Sequence, residues 1–122
     1  MADYPAGIQH RRRISGVQHW RWQRYSAAAM LVIMGYFVYV MATLGTLDYA
    51  GAVGFVSTPL HAIGLTAMVV IGLFHASLGL EVVIEDYVPL KKGRTVLIYS
   101  VKGVLAAIAL ACLCSIIVTA FV

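Results

Sequence analysis

Three long apolar runs dominate the pattern of this chain, and short polar segments separate them. The runs cover residues 26–47, 60–84 and 95–122. A helix that spans a bilayer needs about 20 consecutive apolar residues, because each residue adds about 1.5 Å to its length. Each run meets that requirement. The pattern therefore predicts an all-α membrane protein whose three transmembrane helices occupy residues 26–122, after an N-terminal segment, residues 1–25, at the membrane surface.

The segments between the runs carry the polar and interfacial residues. Trp20, Trp22 and Tyr25 are interleaved with arginines before the first run, as is typical of a membrane interface. Residues 48–58 are predicted to be a short loop, and Pro59 suits the first turn of the second helix. Residues 85–94 form a second, strongly charged loop. Residues 1–7 are predicted to be a flexible tail.

Composition supports a membrane protein over a soluble one. Hydrophobic residues make up 61% of the 122 residues and charged residues only 11%, whereas soluble domains carry about a quarter charged residues. A water-soluble fold of this length could not bury so much apolar surface. The net charge of +4 is explained by the positions of the basic residues and does not indicate a nucleic-acid partner.

The basic residues predict the orientation of the chain. Eight of the nine Lys and Arg lie in residues 11–24 and 91–94, and the loop between the first two runs has none. Loops rich in Lys and Arg stay in the cytoplasm. We therefore expect a multi-pass protein of the bacterial cytoplasmic (inner) membrane, with the N-terminus cytoplasmic and Val122 periplasmic. Residues 10–13 fit an orientation signal and not an export signal, because no short apolar core with a cleavage site follows.

The second run carries one stripe of small and ligand-capable residues: His61, Gly64, Met68, Gly72, His75 and Gly79. Such a stripe is predicted to face protein or a cofactor, not lipid. Asp86 lies on the same helical face as His75, about 16 Å closer to the membrane surface, and Tyr87 lies about a third of a turn away.

His75 has two interpretations, since a histidine in hydrocarbon needs a partner. It is either hydrogen-bonded to a neighbouring helix or an axial ligand of haem, for which Gly79, one turn away, leaves room beside the ring. His61 lies about 21 Å further along the helix. A second axial ligand would therefore come from another chain.

Several polar residues also have alternative interpretations. Asp86 and Tyr87 are either helix-end groups at the interface or a quinone site, in which the phenol donates to a carbonyl oxygen and the carboxylate orients it. Arg24 is either a solvated charge or a clamp for haem propionates. The role of Glu81 is left open, and Lys102 is predicted to extend to the membrane surface. Cys112 and Cys114, two residues apart on an apolar helix, are packing residues.

Two motifs resemble those of the hydrophobic membrane anchor subunits of succinate dehydrogenase, the smaller D-type anchor. The first is His-Trp-x-x-Gln-Arg-x-Ser-Ala, from His19 to Ala27. The second is His-Ala-x-x-Gly followed by Asp-Tyr, which comprises His75, Ala76, Gly79, Asp86 and Tyr87. The motifs span residues 15–90, and the three-span layout extends the likeness to the whole chain.

The resemblance implies roles for specific residues. His75 would be an axial ligand of haem b, sharing the iron with a histidine of a cytochrome b556 partner subunit, and Arg24 would approach a haem propionate. Tyr87, assisted by Asp86, would hydrogen-bond ubiquinone near the iron–sulfur subunit, which receives electrons from a flavoprotein subunit. Two alternatives are a menaquinone-linked fumarate reductase anchor and a non-redox structural or assembly subunit.

Overall fold

The structure, a computed structural model, describes the backbone of residues 6–121 and the side chains of residues 16–121. This part of the chain consists of four helices. They are α1 (Ala6–Leu44), α2 (Tyr49–Ser57), α3 (Pro59–Tyr87) and α4 (Lys91–Phe121). Three of them contain segments long and apolar enough to cross a membrane: Gly16–Leu44, Pro59–Tyr87 and Lys91–Phe121. The predicted all-α fold with three spanning helices is confirmed.

Each long helix extends beyond its predicted apolar run. Helix α1 has 39 residues, or about 58 Å, against a hydrocarbon core of about 30 Å, so its first turns lie outside the bilayer. Ala6 and Gly7, predicted to be part of a tail, begin this helix. Residues 1–5 and the side chains of the basic cluster at 10–13 lie outside the described residues. Hydropathy marks where hydrocarbon ends, while backbone hydrogen bonding continues into the headgroup region.

The first interhelical segment differs from the predicted loop, because it contains the nine-residue helix α2. Asp48 caps this helix: its side chain accepts a hydrogen bond of 2.8 Å from the amide of Gly51, as an N-cap aspartate does. At the other end, the Ser57 hydroxyl donates to the Thr119 carbonyl oxygen at 2.7 Å. Helix α2 is therefore attached to the end of α4.

The second interhelical segment is shorter than predicted. Only residues 88–90 are non-helical, so Asp86 and Tyr87 lie in the last turn of α3. Pro89 restricts the residue before it to extended backbone, which ends the helix. The Arg94 guanidinium donates from Nε and Nη2 to the Val88 carbonyl oxygen at 3.1 and 2.9 Å and so fixes the turn.

Helix α3 is the centre of the fold. It packs against α1 on one side and α4 on the other, whereas the described residues of α1 and α4 share no substantial interface. Within residues 16–121 only Val40, Ile84 and Ser26 are buried. The three long helices thus form an open layer and not a closed bundle, and most of their apolar surface is left for lipid or other chains.

Candidate functional site

The stripe of small and ligand-capable residues on α3 faces α1. A Cβ added at Gly64 would lie 2.6 Å from the Tyr36 ring, and one at Gly79 would lie 3.7 Å from Gln23 Nε2. His61 and His75 contact Tyr36 and Ser26 of α1. The prediction that this stripe faces protein is confirmed at these four positions. Nothing lies within 4 Å of a Cβ added at Gly72.

His75 makes a short hydrogen bond across this interface. Its Nδ1 lies 2.8 Å from Ser26 Oγ, and Ser26 Oγ also lies 3.1 Å from the Gln23 carbonyl oxygen. Ser26 is only 6% exposed. Among the described residues the ring has no other hydrogen bond, so Nε2 is the nitrogen left for a further ligand. Hydrogen bonding to a neighbouring helix and haem ligation, which the sequence presents as alternatives, are therefore compatible.

A polar strip on α1 continues from Ser26 towards the start of the helix. Gln23 and His19 lie one turn and two turns before Ser26 on the same face. Gln23 Oε1 and His19 Nε2 are buried and have no hydrogen-bond partner among the described residues. Buried polar atoms normally find partners. We therefore expect polar groups of another molecule to bind along this strip, His19–Gln23–Ser26.

Arg24 lies next to the strip but points elsewhere. Its guanidinium carbon lies 4.0 Å from the centroid of the Trp20 ring, a cation–π contact at the level of the interfacial aromatics. Both side chains are exposed. The guanidinium is thus stacked on one face while its N–H edges are free to bind an anionic group, so the contact is compatible with both predicted roles of Arg24.

Asp86 and Tyr87 are the last two residues of α3. Tyr87 is 82% exposed, and neither side chain has a hydrogen-bond partner among the described residues. Asp86 lies eleven residues from His75, about 16 Å along the helix axis. A phenol and a carboxylate in adjacent positions with free donor and acceptor atoms can bind a carbonyl compound that approaches from outside this chain.

A cluster of aromatic rings surrounds His61 at the opposite end of α3. His61 stacks on Phe55 with centroids 3.8 Å apart, and its Nδ1 lies 3.2 Å from the Tyr36 hydroxyl. Tyr39 also packs against this imidazole. A groove of about 570 Å³ runs beside the cluster, and another of about 330 Å³ lies between the start of α3 and the end of α4. Neither groove is lined by His75, Asp86 or Tyr87.

One ion pair joins α3 to α4. Lys102 Nζ lies 2.9 Å from Glu81 Oε2. Lys102, predicted to extend to the membrane surface, is thus paired with Glu81, whose role the sequence leaves open. Glu81 lies six residues from His75, about a third of a turn round the helix, so the pair occupies a different face from the histidine. Residues 16–121 contain no group of three or more His, Cys, Asp or Glu that could hold a metal ion by itself.

Comparison with known proteins gives a consistent result. The family model described as succinate dehydrogenase/fumarate reductase transmembrane subunit matches residues 7–118. A protein of Rickettsia bellii named succinate dehydrogenase hydrophobic membrane anchor subunit is 34% identical over 88 residues, which is 72% of this chain and 70% of the relative. A protein of the same name from Rickettsia felis is 33% identical over 100 residues, 82% of each chain. No solved structure matches the chain.

Proposed function

Since this chain belongs to the family of succinate dehydrogenase/fumarate reductase transmembrane subunits, we propose that it anchors a succinate:quinone oxidoreductase in the bacterial inner membrane, holds haem b through His75 and binds ubiquinone at Tyr87. Membership implies iron–sulfur and flavoprotein partners. The chain alone catalyses nothing. Its residues bind and orient groups that electrons reach from those partners.

The observation that carries the haem assignment is the hydrogen bond at His75 Nδ1. An axial histidine coordinates through one ring nitrogen and is held by a hydrogen bond at the other, which is the division of roles that Nδ1 and Nε2 allow here. The residues therefore fit the group. When bound, haem b supplies a one-electron centre in the bilayer. A cytochrome b556 partner would supply the other histidine that holds the haem, since His61 lies about 21 Å away on the same helix.

Neighbouring residues complete this chain's half of the haem site. Arg24 holds a propionate with its free N–H edges, to which a planar guanidinium is well suited. Gly79, one turn from His75 on the same face, adds no side chain beside the imidazole and lets Gln23 of α1 approach. The partner docks on the side of α3 that α1 and α4 leave open.

The quinone assignment rests on the position of Asp86 and Tyr87. The Tyr87 hydroxyl donates to a carbonyl oxygen of ubiquinone, and the Asp86 carboxylate orients that phenol and exchanges protons with the cytoplasm. Reduction of a quinone to a quinol takes two electrons and two protons. The two protons must reach the quinone through groups at the membrane surface. The exposure of Tyr87 supports this role for the Asp86–Tyr87 pair.

The direction of catalysis is proposed from the relatives. The family name covers fumarate reductase as well as succinate dehydrogenase, but the relatives are named as succinate dehydrogenase anchors. A complex that reduces fumarate faster than it oxidises succinate would favour the menaquinone-linked alternative, and a complex without a haem spectrum would favour a structural subunit.

The two intramembrane histidines provide a matched test. His75→Ala should remove or strongly alter the b-type haem signal in a reduced-minus-oxidised spectrum of the native complex. His61→Ala is the control, because His61 is packed by Phe55 and bonded to Tyr36 and should leave the spectrum unchanged. Equal loss in both variants, or in neither, would contradict the assignment of His75.

A further inference from the structure

The hydroxyl of Ser26 occupies an unusual place for a side chain at the start of an apolar run. Ser26 is the one buried polar residue within residues 16–121, and it links α1 to α3 across 49 positions of sequence. The proposed function rests on this contact but does not say which of the two atoms donates or what the bond does to the imidazole. We infer that Ser26 is a positioning residue that fixes the tautomer and ring orientation of His75; the inference rests on the proposed role of His75.

The hydrogen-bond geometry selects one tautomer. Ser26 Oγ is within hydrogen-bond distance of both the Gln23 carbonyl oxygen and His75 Nδ1. A hydroxyl has one proton to donate, and a carbonyl oxygen can only accept. Both contacts are hydrogen bonds only if Ser26 donates to Gln23 and accepts from an Nδ1–H of His75. This tautomer leaves Nε2 unprotonated, with its lone pair available to a metal.

Comparison with other serines of the chain separates the common hydrogen bond of Ser26 from the unusual one. Ser100 and Ser115 donate to the carbonyl oxygen four residues earlier in their helix, and Ser26 donates in the same way to the one three residues earlier; such bonds are usual for a hydroxyl in an apolar helix. Neither Ser100 nor Ser115 contacts a second helix through another hydrogen bond. The specific feature of Ser26 is that its acceptor side faces His75, so the local bond to Gln23 orients the hydroxyl for the ring.

Loss of this hydroxyl should change the metal site more than the fold. Residues that hold the second nitrogen of a coordinating histidine typically contribute about ten- to a hundredfold to affinity for the bound group. A hydrogen bond from Nδ1–H also makes the imidazole a better electron donor, which favours ferric over ferrous iron. Removing the acceptor should therefore raise the midpoint potential of the haem and shift its ferric EPR signal.

The test uses the intact complex in membranes and a graded set of variants. Ser26→Thr keeps the hydroxyl, Ser26→Cys offers a weaker acceptor of similar size, and Ser26→Ala removes the acceptor. We expect the midpoint potential to rise in the order Thr, Cys, Ala, with Thr close to the wild type, and haem to be released about ten times more readily from Ala. Ser100→Ala, which removes only a local helix bond, should match the wild type.

Two outcomes would overturn the inference, and both are separate from the fate of the proposed function. The first is that Ser26→Ala assembles with wild-type EPR signal, haem content and potential. The second is that the Ser26→Cys and Ser26→Thr variants have the same midpoint potential and the same EPR signal. This comparison still tests the inference if Ser26→Ala does not assemble. If His75→Ala keeps the haem spectrum, the axial-ligand assignment itself fails, whatever the Ser26 variants show.

Discussion

The ion pair between Glu81 and Lys102 gives the sharpest prediction about the packing of the helices. Glu81 lies about 9 Å along α3 from Tyr87, and Lys102 about 16 Å along α4 from Lys91. Both side chains are therefore within the apolar part of their helices, where their Nζ–Oε2 distance is 2.9 Å. Removing one partner of an ion pair in hydrocarbon is destabilising, because the other charge is left without compensation.

The penalty should differ between the two single variants. After Lys102→Met, the carboxylate of Glu81 is left without a partner, and its short side chain cannot carry it out of the apolar part of α3. After Glu81→Gln, the lysine can extend towards the membrane surface, and its side chain is already 44% exposed against 22% for Glu81. We therefore expect a loss of about 3 kcal/mol for Lys102→Met, the low end of the cost of leaving one charge of a desolvated pair without its partner, and about 1 kcal/mol for Glu81→Gln.

A double-mutant cycle on the solubilised complex measures this coupling. The temperature at which half of the chain leaves the complex should fall most in Lys102→Met, less in Glu81→Gln, and return close to the wild type in the double variant, because no charge is then stranded. Additive losses in the double variant, or single variants as stable as the wild type, would refute the reasoning.

Two further predictions concern the quinone site and the orientation. Tyr87→Phe keeps the ring and removes the hydroxyl, so quinone reduction should slow about tenfold if the lost bond reaches about 1.4 kcal/mol in the transition state, while haem content and succinate oxidation with a soluble dye stay near normal. Quinone reduction at the wild-type rate would make Tyr87 an interfacial residue only, and an equal fall with the dye would indicate damaged assembly. A reporter fused after Val122 should be periplasmic in a bacterial host, because eight of nine basic residues precede α1's apolar part or lie at the start of α4; a cytoplasmic reporter would contradict the predicted orientation.

The sequence was sufficient for the three spans because hydropathy depends only on local composition. It was insufficient for α2, whose nine residues include Gly51 and Gly54. Those glycines favour a loop, and the structure shows that the cap at Asp48 and the bond from Ser57 to Thr119 support a helix there instead. The N-cap residue was visible in the sequence, but the contact to α4 that stabilises the other end was not.

Pairs between helices were beyond sequence reasoning for a different reason. Glu81 and Lys102 lie 21 positions apart in antiparallel helices, and which residues meet depends on the register set by the turn at residues 88–90. The contact of Arg94 with Val88 helps to fix that register, and hydropathy carries no information about it. Ser26 was missed likewise: a serine before an apolar run suggests an interfacial position, and only the approach of α3 shows it buried against His75.

The two faces of α3 follow from these contacts and explain why the chain needs partners. Its α1 face holds His75 and Gly79, and its α4 face holds Glu81. Because α1 and α4 share no substantial interface along their described residues, the side of α3 between them is not closed by this chain. The ion pair to α4 fixes α3 from one side and the Ser26 bond fixes it from the other, so His75 can be held in one orientation while the neighbouring edge stays open to a second chain.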